Sequence, residues 1–167
     1  MSRNEPFGIY IHIPYCRSKC RYCDFYSAPG ARGVPQAYVD ALLRELAKNT
    51  RRPDTLYFGG GTPALLSPGQ VSTLIQAADP LPGAEITLEA NPDSAGDWKA
   101  LRALRRAGFN RISIGVQSDD DAQLKALGRP HTYRQAQQAV SLSRRAGFDN
   151  VSVDLMFGLP SQSREQW

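Results

Sequence analysis

Apolar and polar residues along the chain fall into a repeating rhythm: short runs rich in Ile, Val, Leu and aromatics alternate with longer stretches whose apolar residues recur at helical spacing. The short runs predict strands at Gly8–Ile13, Thr55–Phe58, Glu85–Glu89, Arg111–Val116 and Val151–Phe157. Between them, Val39, Leu42, Leu43 and Leu46 predict a helix over Gln36–Asn49, and Trp98, Leu101 and Leu104 predict another. Two further helix starts are marked by Ser67-Pro68-Gly69-Gln70 and Thr132-Tyr133-Arg134-Gln135, each with Ser or Thr three residues before Gln, the capping-box spacing. Pro68 adds a residue suited to the first helical position.

One pentapeptide occurs twice, as Arg105-Arg106-Ala107-Gly108-Phe109 and Arg144-Arg145-Ala146-Gly147-Phe148, and each copy leads into an apolar strand carrying a serine, Ser113 or Ser152. Glycine after a cationic last turn is a helix-ending signal, so the same helix-to-strand junction is used twice. Strands that alternate with helices imply parallel pairing through right-handed crossovers, and hence an α/β fold: a (β/α) barrel or an open sheet. Phe109 and Phe148, with Trp98 and Met156, are expected to pack in the core, and His131 reads as a neighbour of the Thr132 cap.

The length of 167 residues suits one domain, 1–167. A full eight-unit barrel takes about 250 residues, roughly 31 per unit, so this chain holds about five units. After the fifth strand, Gly158-Leu159-Pro160 turns the chain, and Ser163-Arg164-Glu165-Gln166 offers another capping box just before Trp167. The chain therefore reads as the N-terminal portion of a longer protein, with an apolar strand left unpaired at its end.

Composition narrows the class. Hydrophobic residues make up 41% and charged residues 22%, as in a globular domain. The formal net charge of +4 is spread along the chain and dominated by Arg, which reads as solvated helix faces and predicts no nucleic-acid partner. No run approaches the roughly 18 apolar residues of a membrane span. Met1 to Pro6 and the interrupted run after them lack a signal-peptide core, which predicts a cytoplasmic protein. The three cysteines are odd in number and clustered, which fits a metal in a reducing compartment better than a disulfide framework.

Those cysteines, Cys16, Cys20 and Cys23, form C-x3-C-x2-C in the loop after the first predicted strand, with Arg17, Lys19 and Arg21 between them to offset thiolate charge. Three ligands fall short of the four a structural zinc site takes, although His12 or Asp24 could complete one. They suit a cubane iron–sulfur cluster with one open iron, since protein cubanes normally use four cysteines. Inert thiols are the remaining reading. Gly59 to Thr62, Glu89, Gln117 and Asp154 fall at the C-terminal ends of predicted strands, where barrel enzymes build their sites. Gly60 and Gly61 would let the backbone approach a ligand, or simply end a strand; without a following Lys-Ser/Thr they are no P-loop.

The cysteine motif with Tyr22 before its third cysteine resembles the radical S-adenosylmethionine superfamily, whose fold is a partial (β/α)6 TIM-like barrel. Tyr10-Ile11-His12-Ile13-Pro14-Tyr15-Cys16, Gly59-Gly60-Gly61-Thr62-Pro63, Glu89-Ala90-Asn91-Pro92, Gly115-Val116-Gln117-Ser118, Leu127-Gly128-Arg129 and Val153 through Pro160 are similar to the oxygen-independent coproporphyrinogen III oxidase group, which includes haem chaperones of the HemW type. The resemblance runs from Gly8 to Trp167 and implies a [4Fe–4S] cluster on Cys16, Cys20 and Cys23. It further implies S-adenosylmethionine with its methionyl part at Gly60, Gly61 and Thr62, its adenine near Tyr22, and Tyr10 near the bound cofactor. Glu89, Gln117, Arg129 and Asp154 would be polar contacts to its ribose and carboxylate; each could equally be a surface or capping residue.

Two branches of that group differ in chemistry. In the oxidases, an electron from the reduced cluster cleaves S-adenosylmethionine, and the resulting radical abstracts hydrogen from propionate side chains that then lose CO2. Those enzymes resemble C-x3-C-x2-C-x-C and carry a long N-terminal extension; here Phe25 stands at the further cysteine position and a short run precedes Cys16. Both departures favour a haem chaperone, which would bind haem outside these residues and pass it to an acceptor protein, with a flavodoxin or ferredoxin as electron donor. A zinc-stabilised structural module is the reading from another class.

Overall fold

A computed structural model gives the fold and describes residues 5–167. The elements in chain order are β1 (Gly8–Ile13), α1 (Gln36–Leu46), β2 (Thr55–Gly60), α2 (Pro68–Ala78), β3 (Glu85–Ala90), α3 (Trp98–Ala107), β4 (Arg111–Gln117), α4 (Asp121–Ala126), α5 (Tyr133–Ala146) and β5 (Asn150–Leu155). The five strands form one parallel sheet in sequential order, β1-β2-β3-β4-β5. Each crossover therefore returns on the same side, and α1, α2, α3 and α5 pack side by side against that face.

The two faces of the sheet differ completely. Ile11, Ile13, Leu56, Phe58, Ile86, Leu88, Ile112, Ile114 and Val116 point to the helices and form the core with Val39, Val71, Leu74, Leu101, Leu104, Phe109 and Phe148. The alternate positions carry Tyr10, His12, Tyr57, Glu85, Thr87, Glu89, Arg111, Ser113, Ser152 and Asp154. These polar residues bond across strands. Arg111 donates to Thr87 Oγ1 at 3.3 Å and to Ser152 Oγ at 2.9 Å, and Ser113 donates to Asp154 Oδ1 at 2.8 Å. The two serines of the repeated pentapeptide units stand opposite one another in the β4–β5 register, with their hydroxyls 2.9 Å apart.

Both expected capping boxes form: Ser67 and Thr132 accept from the backbone of Gln70 and Gln135, whose side chains return the bond. Gly108 and Gly147 close α3 and α5 with positive φ, as the repeat implies. Ser163 and Gln166 make the same reciprocal pair at the end of the chain. The reading of the N-terminus rests partly on Met1–Asn4, which lie outside the described residues.

Several boundaries differ from expectation. The first helix stops at Leu46 rather than Asn49, because the amides of Lys48 and Asn49 turn back three residues to Glu45 and Leu46. The fifth strand spans Asn150–Leu155 rather than reaching Phe157, since its register against β4 shifts between Gly115 and Gln117. The short helix α4 was not foreseen; Asp120 caps it by accepting from the amides of Ala122 and Gln123. Trp98 is half-buried, with Arg102 and Arg145 over its ring, while Phe109 and Phe148 are core residues as expected. Met156 is not in the core: it lines a cavity on the polar side.

Candidate functional site

The strand ends on the polar side surround a cavity of about 440 Å³. Its wall includes Cys16, Cys20, Tyr22 and Cys23 from the loop after β1, and Tyr57, Gly60 and Gly61 from β2 and its exit. Glu89 and Asn91, Gly115 and Gln117, and Asp154 and Met156 come from the ends of β3, β4 and β5, and Arg129 from the turn after α4. Four strand ends and two loops thus converge on one space, as the C-terminal edge of a parallel α/β sheet allows.

The cysteine loop is fixed mainly by its own backbone. Cys16 N–H donates to Ala28 O at 3.0 Å, Ala28 N–H to Pro14 O, and Ala31 N–H to Cys16 O at 2.9 Å. This buries Cys16 and leaves Cys20 and Cys23 half-buried, all three as free thiols. Thr62 Oγ1 donates to Cys16 Sγ at 3.7 Å, and Arg129 Nη1 to Cys20 Sγ at 3.3 Å. Among the described residues, no three His, Cys, Asp or Glu side chains close on one point as the ligands of a single ion would. The three thiols instead sit along one wall, with cationic and hydroxyl donors at two of them.

The three glycines after Phe58 are glycines for reasons internal to the protein. A Cβ on Gly59 would meet Tyr10, Glu89 and Tyr57 at 2.8–2.9 Å, and one on Gly60, at φ 105°, would strike the His12 ring. A Cβ on Gly61 would lie 2.7 Å from the carbonyls of Ile13 and Tyr15. Those carbonyls accept from Gly61 N–H and Thr62 N–H, both at 2.8 Å, so the glycine turn and the approach to Cys16 are joined backbone to backbone.

Glu89 is held on both oxygens: Tyr57 donates to Oε1 at 2.7 Å and Gly60 N–H to Oε2 at 3.0 Å. Burial, this hydrogen bond and the Glu89 charge hold the Tyr57 phenol far above its ordinary range, so it remains a donor. Arg129 spans the cavity, donating from Nη2 to Asn91 Oδ1 at 2.9 Å and to Gly115 O, and from Nη1 to Tyr22 OH at 3.5 Å. Its Nε is buried without a partner. Gln117, at φ 72°, occupies the left-handed region that costs a non-glycine residue about 1–3 kcal/mol, and it does so at the cavity wall.

Of the residues singled out from sequence, Cys16, Cys20, Cys23, Tyr22, Gly60, Gly61, Glu89, Gln117, Arg129 and Asp154 line this cavity. Thr62 stands behind it, bonded to Cys16. Tyr10 lies beside it on β1, 55% exposed, hydrogen-bonded to His12 and stacked on Tyr57. Tyr57, Asn91, Gly115 and Met156 were missed. Each is two positions from a residue that was found, and so on the same face of its strand. His131 adjoins the Thr132 cap as expected but is itself buried, with Nε2 3.2 Å from Val116 O.

An open parallel sheet with three cysteines after its first strand and a polar cavity across its strand ends defines a class. The Radical SAM superfamily profile matches residues 10–167, and the chain belongs to that superfamily. Within it the chain is 44% identical to the haem chaperone HemW of Escherichia coli, over 99% of this chain and 46% of that protein. It is 43% identical to the mitochondrial radical S-adenosyl methionine domain-containing protein 1 of Bos taurus, over 96% and 38% respectively. Its structure matches that of coproporphyrinogen III oxidase HemN from Escherichia coli, described as a Radical SAM enzyme, with a TM-score of 0.81 and 29% identity over 99% of this chain and 40% of that one. The chain spans less than half the length of these relatives. None of its described helices is long and apolar enough to cross a membrane.

Proposed function

We propose that this chain is the cluster- and S-adenosylmethionine-binding part of a haem chaperone. The observation that carries the reading is the cavity itself, which gathers in one space the three cysteines, a doubly held carboxylate and a half-buried arginine whose buried Nε has no partner. Cys16, Cys20 and Cys23 would hold a [4Fe–4S] cluster, which takes one thiolate per iron and would leave one iron open, whereas a structural zinc site would need a fourth ligand. When bound, that cluster would supply an electron to S-adenosylmethionine.

The chain's own residues would orient S-adenosylmethionine. Glu89, fixed by Tyr57 and Gly60, presents a carboxylate suited to ribose hydroxyls, and Arg129 a guanidinium suited to a carboxylate. Tyr22 and Met156 border a second, more apolar cleft with Phe157 and Leu159, which suits a flat adenine ring. Gln117 and Asp154 complete the polar lining, Thr62 steadies Cys16, and Tyr10 braces Tyr57. A reducing compartment such as the cytoplasm suits three unpaired thiols.

Phe25 favours the chaperone over the oxidase: it lines the cavity where the oxidase pattern carries another cysteine. The 44% identity to the HemW of Escherichia coli supports the same branch. Haem, its acceptor protein and an electron donor such as a flavodoxin or ferredoxin are the partners implied. The discriminating experiment gives the full-length, cluster-loaded protein either haem plus a haem-free acceptor or coproporphyrinogen III plus S-adenosylmethionine and reductant. Haem transfer without decarboxylated porphyrinogen is expected. Decarboxylated product, with no transfer, would assign the oxidase.

A further inference from the structure

We infer that α4 and the turn Leu127-Gly128-Arg129 form a clip that holds the middle of the cysteine loop, with Gly128 and Arg21 as its positioning residues. The two segments lie about a hundred residues apart in sequence, yet three consecutive loop residues are each bound from this turn. Arg21 N–H donates to Leu127 O at 3.0 Å. The Arg21 guanidinium reaches Ala126 O at 3.5 Å, where a cation complements the carbonyl end of a helix. From the far side of the turn, Arg129 Nη1 reaches Cys20 Sγ at 3.3 Å and Tyr22 OH at 3.5 Å.

Gly128 is the pivot for two separate reasons. Its φ of 73° lies in the left-handed region. A Cβ there would also stand 3.0 Å from Arg21 Cγ and 3.4 Å from Arg21 N, the atom that makes the backbone bond. Cys16 does not depend on this turn, since it is held by Ala28, Ala31 and Thr62. Cys20 takes its place from the β4–α5 connection, and Cys23 follows it through a local bond from its amide to Cys20 O.

That connection is itself anchored to the sheet. Arg129 Nη2 binds Asn91 and Gly115 O, His131 Nε2 meets Val116 O, and Ser118 Oγ donates to Gln123 Oε1 at 2.7 Å inside α4. The clip thus transfers the rigidity of β4 to the cysteine that the loop's own backbone leaves least constrained. Its consequence for metal rests on the cluster reading above, whereas the clip itself does not.

The test compares the full-length wild type with Gly128→Ala, Arg21→Ala and the double variant. Hydrogen exchange at the Arg21 amide is followed by mass spectrometry, and iron per chain is measured after challenge with a chelator. Gly128→Ala is expected to speed Arg21 exchange by about tenfold or more and to release iron several-fold faster, since it adds left-handed strain to a tight contact. The double variant should recover part of the protection, because removing Arg21 Cγ relieves that contact. Wild-type exchange in folded Gly128→Ala, or a double variant no better than it, would overturn the clip. If Gly128→Ala fails to fold, Arg21→Ala, whose side chain is exposed, decides: roughly threefold faster exchange at residue 21 is expected, and unchanged exchange overturns the proposal. A wild type that takes up no iron defeats the cluster reading, and the exchange data still judge the clip.

Discussion

Glu89 is in place before any ligand arrives, because Tyr57 O–H and Gly60 N–H occupy one lone pair on each of its oxygens and leave the others facing the cavity. Tyr57→Phe removes a hydrogen bond to a charged group worth about 1.5 kcal/mol or more, so S-adenosylmethionine affinity should fall roughly tenfold. Equilibrium binding to the cluster-loaded protein measures this, and unchanged affinity would show that Glu89 needs no such support. His131 makes the corresponding case for pH. Burial, and then the nearby Arg129 charge, hold its imidazole below the ordinary value of 6.5. The folded protein therefore resists a proton that the unfolded chain accepts, so this stability is present above about pH 6.5 and is lost as the pH falls through the folded value. The denaturation midpoint should drop on acidification through that range, and His131→Gln should flatten the drop. Parallel curves for the two proteins would remove His131 from the account.

At the scale of elements, glycines separate by what stands in front of them. Gly61→Ala would place a methyl 2.7 Å from two backbone carbonyls that cannot move without tearing the glycine turn from the cysteine loop, and should cost about 2–4 kcal/mol. Gly69→Ala, in the first turn of α2 with nothing nearer than 4.0 Å, should instead gain about 0.4–1 kcal/mol. Chemical denaturation of both variants checks the opposite signs. The same logic explains what the sequence made legible. The first four strands were visible because their apolar residues are core residues, the fifth because Val151, Val153 and Leu155 keep the same alternation although none is fully buried, and the two capping boxes because their signals are local. Tyr57, Asn91, Gly115 and Met156 were not: Tyr57 lies outside any motif, and the motifs that contain the other three do not say which of their residues face the cavity. The alternation of strand faces places all four beside Gly59, Glu89, Gln117 and Asp154. The apolar character of Met156 predicts core, but its register with Asp154 puts it on the cavity side. β5 ends before Phe157 because its register against β4 shifts between Gly115 and Gln117, and that shift leaves no local signal.

At the scale of the whole molecule, the described residues leave the core face of the sheet uncovered along its last strand. β5 is an edge strand, with Val153 and Leu155 46% and 51% exposed on the face that carries the core elsewhere in the sheet, and Phe157 and Trp167 exposed nearby. Such edges associate. At micromolar concentration the 167-residue chain should self-associate, and Leu155→Lys should shift it toward monomer in sedimentation velocity; a wild type that stays monomeric would contradict this. The opposite, polar side of the sheet carries the site, and everything proposed for the protein depends on three cysteines holding a cluster that S-adenosylmethionine can reach. The most direct measurement is anaerobic reconstitution with iron and sulfide, followed by electron paramagnetic resonance of the reduced cluster with and without S-adenosylmethionine. Close to four irons per chain are expected for a cubane, with a signal that changes when S-adenosylmethionine is added and disappears when Cys16, Cys20 and Cys23 are replaced by Ala. One zinc per chain, retained in that triple variant, or a reduced-cluster signal indifferent to S-adenosylmethionine, would contradict the account.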